Sequence, residues 1–117
     1  MKLVTCAGAS LMMVLAQLAG AQAYPNKTIR LVVPFPAGGG ADFVGTTIEK
    51  KLSEALKQPI VLEHRPGAAG VAGVQLIANA TPDGYSLLVG GLSTMSVQAV
   101  TNPKLPYDPI RDFAPIS

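Results

Sequence analysis

A short apolar run followed by a loop that contains glycine occurs three times along this chain of 117 residues. The runs are residues 29–33, 60–63 and 85–89, and they are rich in Ile, Val and Leu. Between them, apolar side chains recur every three or four residues, which is typical of amphipathic helices. Short apolar runs bounded by proline and glycine suit strands that are buried on both faces of a parallel sheet. The repeated order of strand, loop and helix therefore predicts an α/β fold with right-handed crossovers.

The helix boundaries follow from capping and breaking residues. Asp42 is expected to cap the first helix, and Pro59 to end it before the second strand. A second helix is predicted over residues 71–80, and a short third helix should end at Val100. Residues 113–117 are expected to enter a further strand. The fold class is thus predicted to be a Rossmann-like parallel sheet with flanking helices.

Three glycine-containing loops, residues 34–41, 65–70 and 90–94, each follow a predicted strand. In a parallel sheet these loops lie at the carboxyl edge, where such sheets bind ligands. A turn from strand into helix presents backbone N–H groups and the positive end of the helix dipole, which attract a carboxylate or phosphate. The glycines of any one loop are explained equally well by tight turning. Three such loops at one edge favour a ligand site.

The first 23 residues have the pattern of a secretory signal peptide. Lys2 precedes an apolar stretch, residues 3–18, and Ala21 and Ala23 provide small residues before a cleavage site at Tyr24. The stretch is too short and too polar for a transmembrane helix of about 20 residues, so the mature protein is expected not to be inserted in a membrane. The only cysteine, Cys6, lies in the removed segment, which excludes disulfides and cysteine metal sites.

Several other functions find little support in the sequence. Removing Lys2 leaves eight Lys and Arg residues against seven Asp and Glu, scattered singly, so no nucleic-acid partner is expected. His64 lacks the partners of a triad or metal site, and a surface or loop-packing role is favoured. No catalytic residue, metal site or cofactor is predicted. Gly38-x-Gly40 resembles a dinucleotide fingerprint, but Phe43 replaces its third glycine, which leaves a nucleotide-binding enzyme as a weaker alternative.

Two charged residues near the loops permit two interpretations each. Arg65 could hold a ligand carboxylate with two hydrogen bonds, or it could tie its loop to a carbonyl or an acid, and the structural role is favoured. Asp42 could contact a ligand amine or hydroxyl, although helix capping alone would explain an aspartate at this position.

Taken together, the motifs resemble those of the substrate-binding receptors of tripartite tricarboxylate transporters, the Bug family. Each motif is modest, but their order and spacing are specific, and the resemblance extends from Tyr24 to Ser117. The matching segments are Tyr24-Pro25, residues 29–35, Pro36-Ala37-Gly38-Gly39-Gly40-Ala41-Asp42, Arg65-Pro66-Gly67-Ala68-Ala69-Gly70, Pro82-Asp83-Gly84-Tyr85 and Leu105-Pro106-Tyr107-Asp108-Pro109.

The resemblance implies the first lobe of a type II periplasmic binding protein, which binds a small carboxylated metabolite and delivers it to a membrane permease without catalysis. In such receptors the backbone groups of the loops and bridging water hold the ligand carboxylate between two lobes. The implied ligand-binding residues are Phe35, Ala37, Gly38, Gly39, Gly40, Ala41, Asp42, Gly67, Ala68, Ala69, Gly70, Ser93 and Thr94.

The sequence departs from the family pattern at three positions and in length. Ala41 replaces a frequent hydroxyl residue, and His64 and Ala69 stand where Asn and Gly are frequent, so the ligand is not identified. Residues 24–117 are expected to form only part of the first lobe, with the second lobe absent. A truncated, non-functional fragment of a receptor is therefore an alternative to a working one.

Overall fold

The computed structural model describes residues 23–117. The predicted signal peptide, apart from Ala23, and with it Cys6, lies outside these residues. Among the helices described, none is both long and apolar enough to cross a membrane. The regular elements, in chain order, are β1 (Ile29–Val33), α1 (Gly40–Leu56), β2 (Ile60–His64), a 3₁₀ turn (Ala68–Gly70), α2 (Val71–Ala78), β3 (Ser86–Leu88), a π-helical turn (Ser93–Val97) and α3 (Gln98–Thr101).

The three strands form one parallel sheet in the order β2-β1-β3, which confirms the predicted α/β fold. Ile29 pairs with Ile60 and Val33 with His64, so β1 and β2 are in register over five residues. Because β2 and β3 lie on opposite sides of β1, the chain turns in opposite directions after β1 and after β2. In open α/β sheets, ligands bind at the carboxyl edge beside such a reversal.

Each face of the sheet carries its own hydrophobic cluster. One cluster contains the buried Ile29, Leu31 and Ile60 with Leu52 and Leu56 of α1 packed on them. A second cluster is built on the buried side chains of α2 and of the segment after α3, and its main members are Val71, Val74, Tyr107, Leu88, Met95, Leu105 and Phe113. Alternation along β1 sends side chains to both faces, which explains why this strand is the most buried one.

Two glycines let the helices approach the sheet closely. A Cβ on Gly45 of α1 would lie 2.7 Å from the side chain of Val33, and one on Gly73 of α2 would lie 2.9 Å from Pro34, which directly follows β1. Real Cβ atoms do not tolerate these separations. The two helices therefore contact the end of β1 through positions that only glycine can occupy without rearrangement.

The structure corrects two expectations about helix ends and one about a strand. The helix α1 begins at Gly40 with Gly39 as its N-cap, so Asp42 lies in the first turn and is not the cap. The predicted third helix begins with a π-helical turn. Residues 113–117 form no strand, because no other strand of the described chain pairs with them. Phe113 instead packs edge-on against Tyr107, with ring centroids 6.0 Å apart.

Glu63 on β2 binds two arginines. Its carboxylate accepts two hydrogen bonds from Arg30 of β1, at 2.8 and 3.0 Å, and two from Arg65, at 3.2 and 2.9 Å. Hydrogen bonds from Arg30 and then Arg65 lower the pKa of Glu63 to about 2 from 4.5. Both arginine side chains are exposed by 41% or more, so solvent screens much of this interaction.

We predict that Glu63→Gln lowers the free energy of unfolding by about 1 kcal/mol at pH 7, after allowance for screening. Because the pKa of Glu63 is depressed in the folded state, the difference should persist above about pH 4.5 and disappear as the pH falls to about 2. Urea unfolding across this range measures it. Glu54→Gln, on the exposed side of α1, is the control. Equal stability of Glu63→Gln and wild type at pH 7 would contradict the prediction.

Candidate anion-binding site at the carboxyl edge

The three glycine-containing loops meet at Gly70. A Cβ built on Gly70 would lie 2.7 Å from the methyl carbon of Thr94 in the third loop, and 3.2 Å from the ring of Phe35 in the first. The backbone of Gly70 is also left-handed, with φ of 92°. The first loop follows β1, the second follows β2 and the third follows β3. The structure therefore brings all three to the carboxyl edge of the sheet, and we call this edge the rim.

The first loop ends at the N-terminus of α1. Gly38 has φ of 91°, and its N–H donates to the Asp42 carboxylate at 2.7 Å. Gly39 caps the helix without a side-chain hydrogen bond. The N–H groups of Gly40, Ala41 and Asp42 consequently have no acceptor among residues 23–117. A helix of 17 residues thus directs unpaired donors and its positive dipole end at the rim.

The second loop contains four consecutive residues with positive φ. Gly67 and Gly70 accommodate it, but Ala68 and Ala69 have φ of 46° and 55°, which costs an alanine about 1–2 kcal/mol each. The N–H of Gly70 returns to the carbonyl of Gly67 at 2.9 Å. The N–H groups of Ala68 and Ala69 find no acceptor within the described chain. Strain of this kind is characteristic of ligand-binding loops.

The third loop is held by Thr94, whose side chain is completely buried. Its hydroxyl oxygen accepts from the N–H of Gly91 at 3.3 Å and the hydroxyl donates to the carbonyl of Gly91 at 3.1 Å. The phenol of Tyr107 donates to the carbonyl of Thr94 at 2.6 Å. Because the Thr94 side chain is buried and its hydroxyl already forms two hydrogen bonds with Gly91, it positions the loop here. Direct ligand contact by Thr94 remains a prediction.

Charged side chains near the rim bind one another. His64 Nε2 lies 2.7 Å from Asp42 Oδ1, which agrees with the loop-packing role favoured for His64. Hydrogen bonds from the Gly38 N–H and then from His64 hold the pKa of Asp42 below its usual value. Arg65 binds Glu63, so it ties its loop to an acid, as favoured from the sequence. The rim consequently offers backbone donors in place of a free cation.

Two open surface cavities lie away from the rim. One, of about 420 Å³, is formed at the amino end of β1 and β3, where Lys27, Arg30 and Asp83 line it. The other, of about 460 Å³, lies beside Arg30 along the outer side of α2. Neither is lined by residues of the three loops. The rim is one open surface, and enclosing a ligand on it requires a second wall.

The ligand-binding residues predicted from the sequence fall into three groups by their exposure and position in the structure. Those of the first and second loops are mostly exposed at the rim, Thr94 and Gly70 are buried beneath it, and Ser93 is exposed in the third loop. Sequence reasoning missed Tyr107, although the Leu105-Pro106-Tyr107-Asp108-Pro109 motif indicated it as one of several matching segments. Among residues 23–117, no group of three metal-binding side chains is close enough to hold a metal ion.

We predict opposite effects of two neighbouring substitutions in the second loop. Gly70→Ala should destabilise the protein by about 2–4 kcal/mol, because it combines positive φ with contacts to Thr94 and Phe35. Ala69→Gly should stabilise it by about 1 kcal/mol, because the exposed Ala69 has strained φ. Thermal unfolding of both variants measures this. A loss of stability in Ala69→Gly would show that the loop has a different conformation.

Comparison with known proteins identifies the family of this chain. The family model for the receptor of the tripartite tricarboxylate transporter family matches residues 44–117. Protein BugT of Bordetella pertussis is 37% identical over 98 residues, which are 83% of this chain and 30% of BugT. The chain spans about 30% of the length of the curated relatives it matches.

Solved structures share the fold. MatC from Rhodopseudomonas palustris, solved with bound malate, matches with a TM-score of 0.77 and 40% identity, over 80% of this chain and 32% of MatC. The periplasmic binding protein BugD matches at 0.72 and 33%, over 80% of this chain and 31% of BugD. An R. palustris protein solved with adipate matches at 0.71 and 30%, over 74% of this chain and 29% of that protein. The chain therefore belongs to the tripartite tricarboxylate transporter receptor family, whose members are solute-binding receptors and not a family of enzymes.

Proposed function

We propose that this chain forms the carboxylate-binding wall of a periplasmic receptor for a small dicarboxylate. The convergence of the three loops at Gly70 is the observation that supports this most strongly. It gathers the unpaired N–H groups of the first and second loops at one edge of the sheet. Backbone donors at a helix N-terminus bind carboxylates without requiring a cationic side chain. The structural relatives solved with malate and adipate support a dicarboxylate as the ligand class.

The rim accounts for one end of such a ligand. A carboxylate would accept hydrogen bonds from Gly40, Ala41 and the second loop. Phe43 and Leu92, which are 75% and 76% exposed, follow the first-loop glycines and Gly91 and would contact the carbon chain. A second lobe would supply the opposing wall, and closure of the two lobes would exclude water from the ligand.

The cellular setting follows from the family and from the predicted signal peptide. We propose export to the periplasm, cleavage before Tyr24, and delivery of the ligand to the permease of a tripartite transporter. BugD, a structural relative, is a periplasmic binding protein, which supports this location. In the described part of the structure Tyr24 is already part of the fold, since its hydroxyl donates to the carbonyl of Gly84 at 2.7 Å.

A titration with malate, followed by the amide signals in ¹⁵N NMR spectra, tests the proposed site. Binding to a single wall should be weak, so millimolar concentrations are appropriate. We expect the amides of residues 38–42 and 67–70 to shift together along one saturation curve. Shifts confined to Lys27, Arg30 and their neighbours would place the carboxylate in the amino-end cavity and contradict the proposal.

Two substitutions at Gly40 separate the contribution of one donor from that of helix geometry. Gly40 is the first residue of α1, where proline is tolerated, and Gly39 already has the extended backbone that precedes proline. Gly40→Pro therefore removes an N–H and should weaken malate binding about 5-fold or more. Gly40→Ala, whose Cβ would meet no atom within 4 Å, keeps the N–H and should bind like wild type. Equal binding by both variants would exclude this donor.

A further inference from the structure

The one histidine of the chain lies beside the proposed binding rim and contacts the carboxylate that holds its first loop. His64 Nε2 is 2.7 Å from Asp42 Oδ1, and Asp42 Oδ2 accepts the N–H of Gly38 at 2.7 Å. These two hydrogen bonds link three parts of the fold in series: the end of β2, the first turn of α1 and the first loop. The side chains of His64 and Asp42 are 29% and 20% exposed, so water has limited access to the pair.

The charge of Asp42 opposes the proposed ligand. Its carboxylate lies in the first turn of α1, among the N–H groups that would bind an anion. An aspartate paired with a neutral imidazole leaves one negative charge at the rim, whereas an aspartate paired with an imidazolium leaves none. Histidine is the side chain that ordinarily changes charge between pH 5 and 8.

Among the described residues, Asp42 is the charged side chain that forms an ion pair with His64. Its register partner on β1 is Val33, which is apolar. Arg65, which follows His64 in the chain, binds Glu63, and so does Arg30 of β1. On α1, Glu49 lies two turns after Asp42 and forms no ion pair with His64 among the interactions of residues 23–117. Asp42 is therefore the charged group that responds directly to protonation of His64.

We propose that His64 is a positioning residue that fixes the Asp42–Gly38 hydrogen bond and, by its protonation, sets the net charge of the rim. The structural part of this proposal, that His64 fixes the Asp42–Gly38 hydrogen bond, does not depend on a ligand. The part that concerns affinity rests on the proposed carboxylate-binding function. The ligand affinity of the rim should then be higher when His64 is protonated than when it is neutral.

The amide signal of Gly38 and the ring protons of His64 test the structural part. In the wild-type chain, we expect both signals to shift with the same midpoint when the pH is varied. His64→Gln places an amide nitrogen near the position of Nε2 without a titrating ring. The pH-dependent step in the Gly38 amide shift should therefore disappear, while the chemical shift stays typical of a hydrogen-bonded amide. His64→Ala should in addition accelerate hydrogen exchange of the Gly38 amide. A Gly38 step that persists unchanged in His64→Gln would overturn the proposal.

Malate titrations of the same proteins test the affinity. We expect wild type to bind malate about 2- to 5-fold more tightly at pH 5.5 than at pH 8, as one screened charge at a few ångströms predicts. His64→Gln should show only the pH dependence of malate itself, which serves as the control. The same pH dependence in both proteins would overturn this part. If malate binds to neither at any pH, the proposed function fails while the Gly38 result still decides the positioning role.

Discussion

The contact of three loops at Gly70 is the constraint on which the candidate site depends. Thr94 and Phe35 occupy the space where any side chain at this position would lie, and the backbone of Gly70 is left-handed. Parallel strands bring their carboxyl ends to one edge, but that alone leaves the loops separate. The absence of a Cβ at Gly70 allows the second loop to close against the other two, and this close approach gathers their backbone N–H groups.

The rim is built from backbone dipoles, and the charged side chains around it serve to hold it in place. Arg30 of β1 binds Glu63 of β2 across the two strands, and Arg65, just after β2, binds the same carboxylate. Asp42 binds Gly38 and His64, and Tyr107 supports Thr94 through a buried hydrogen bond. The proposed anion-binding surface would select for a carboxylate through hydrogen-bond geometry, and a second lobe would recognise the rest of the ligand.

The sequence was sufficient to predict the fold class and the three loops, because strand, loop and helix patterns depend on local composition. It also indicated Gly38, Gly67 and Gly70, where positive φ is observed. It did not predict the His64–Asp42 contact, since these residues are 22 positions apart and meet only because α1 packs on β2. The capping role expected for Asp42 was wrong because the N-cap is Gly39, three residues before Asp42, and the helix begins at Gly40. Tyr107 was missed because its partner is a backbone carbonyl, which has no sequence signal.

The nuclear Overhauser effects of Gly70 test the central claim most directly. We expect cross-peaks from the α protons of Gly70 both to the ring protons of Phe35 and to the methyl group of Thr94, together with the cross-peaks of the parallel sheet. A spectrum that shows the sheet intact but lacks either contact of Gly70 would mean that the three loops do not meet, and it would contradict the proposed rim.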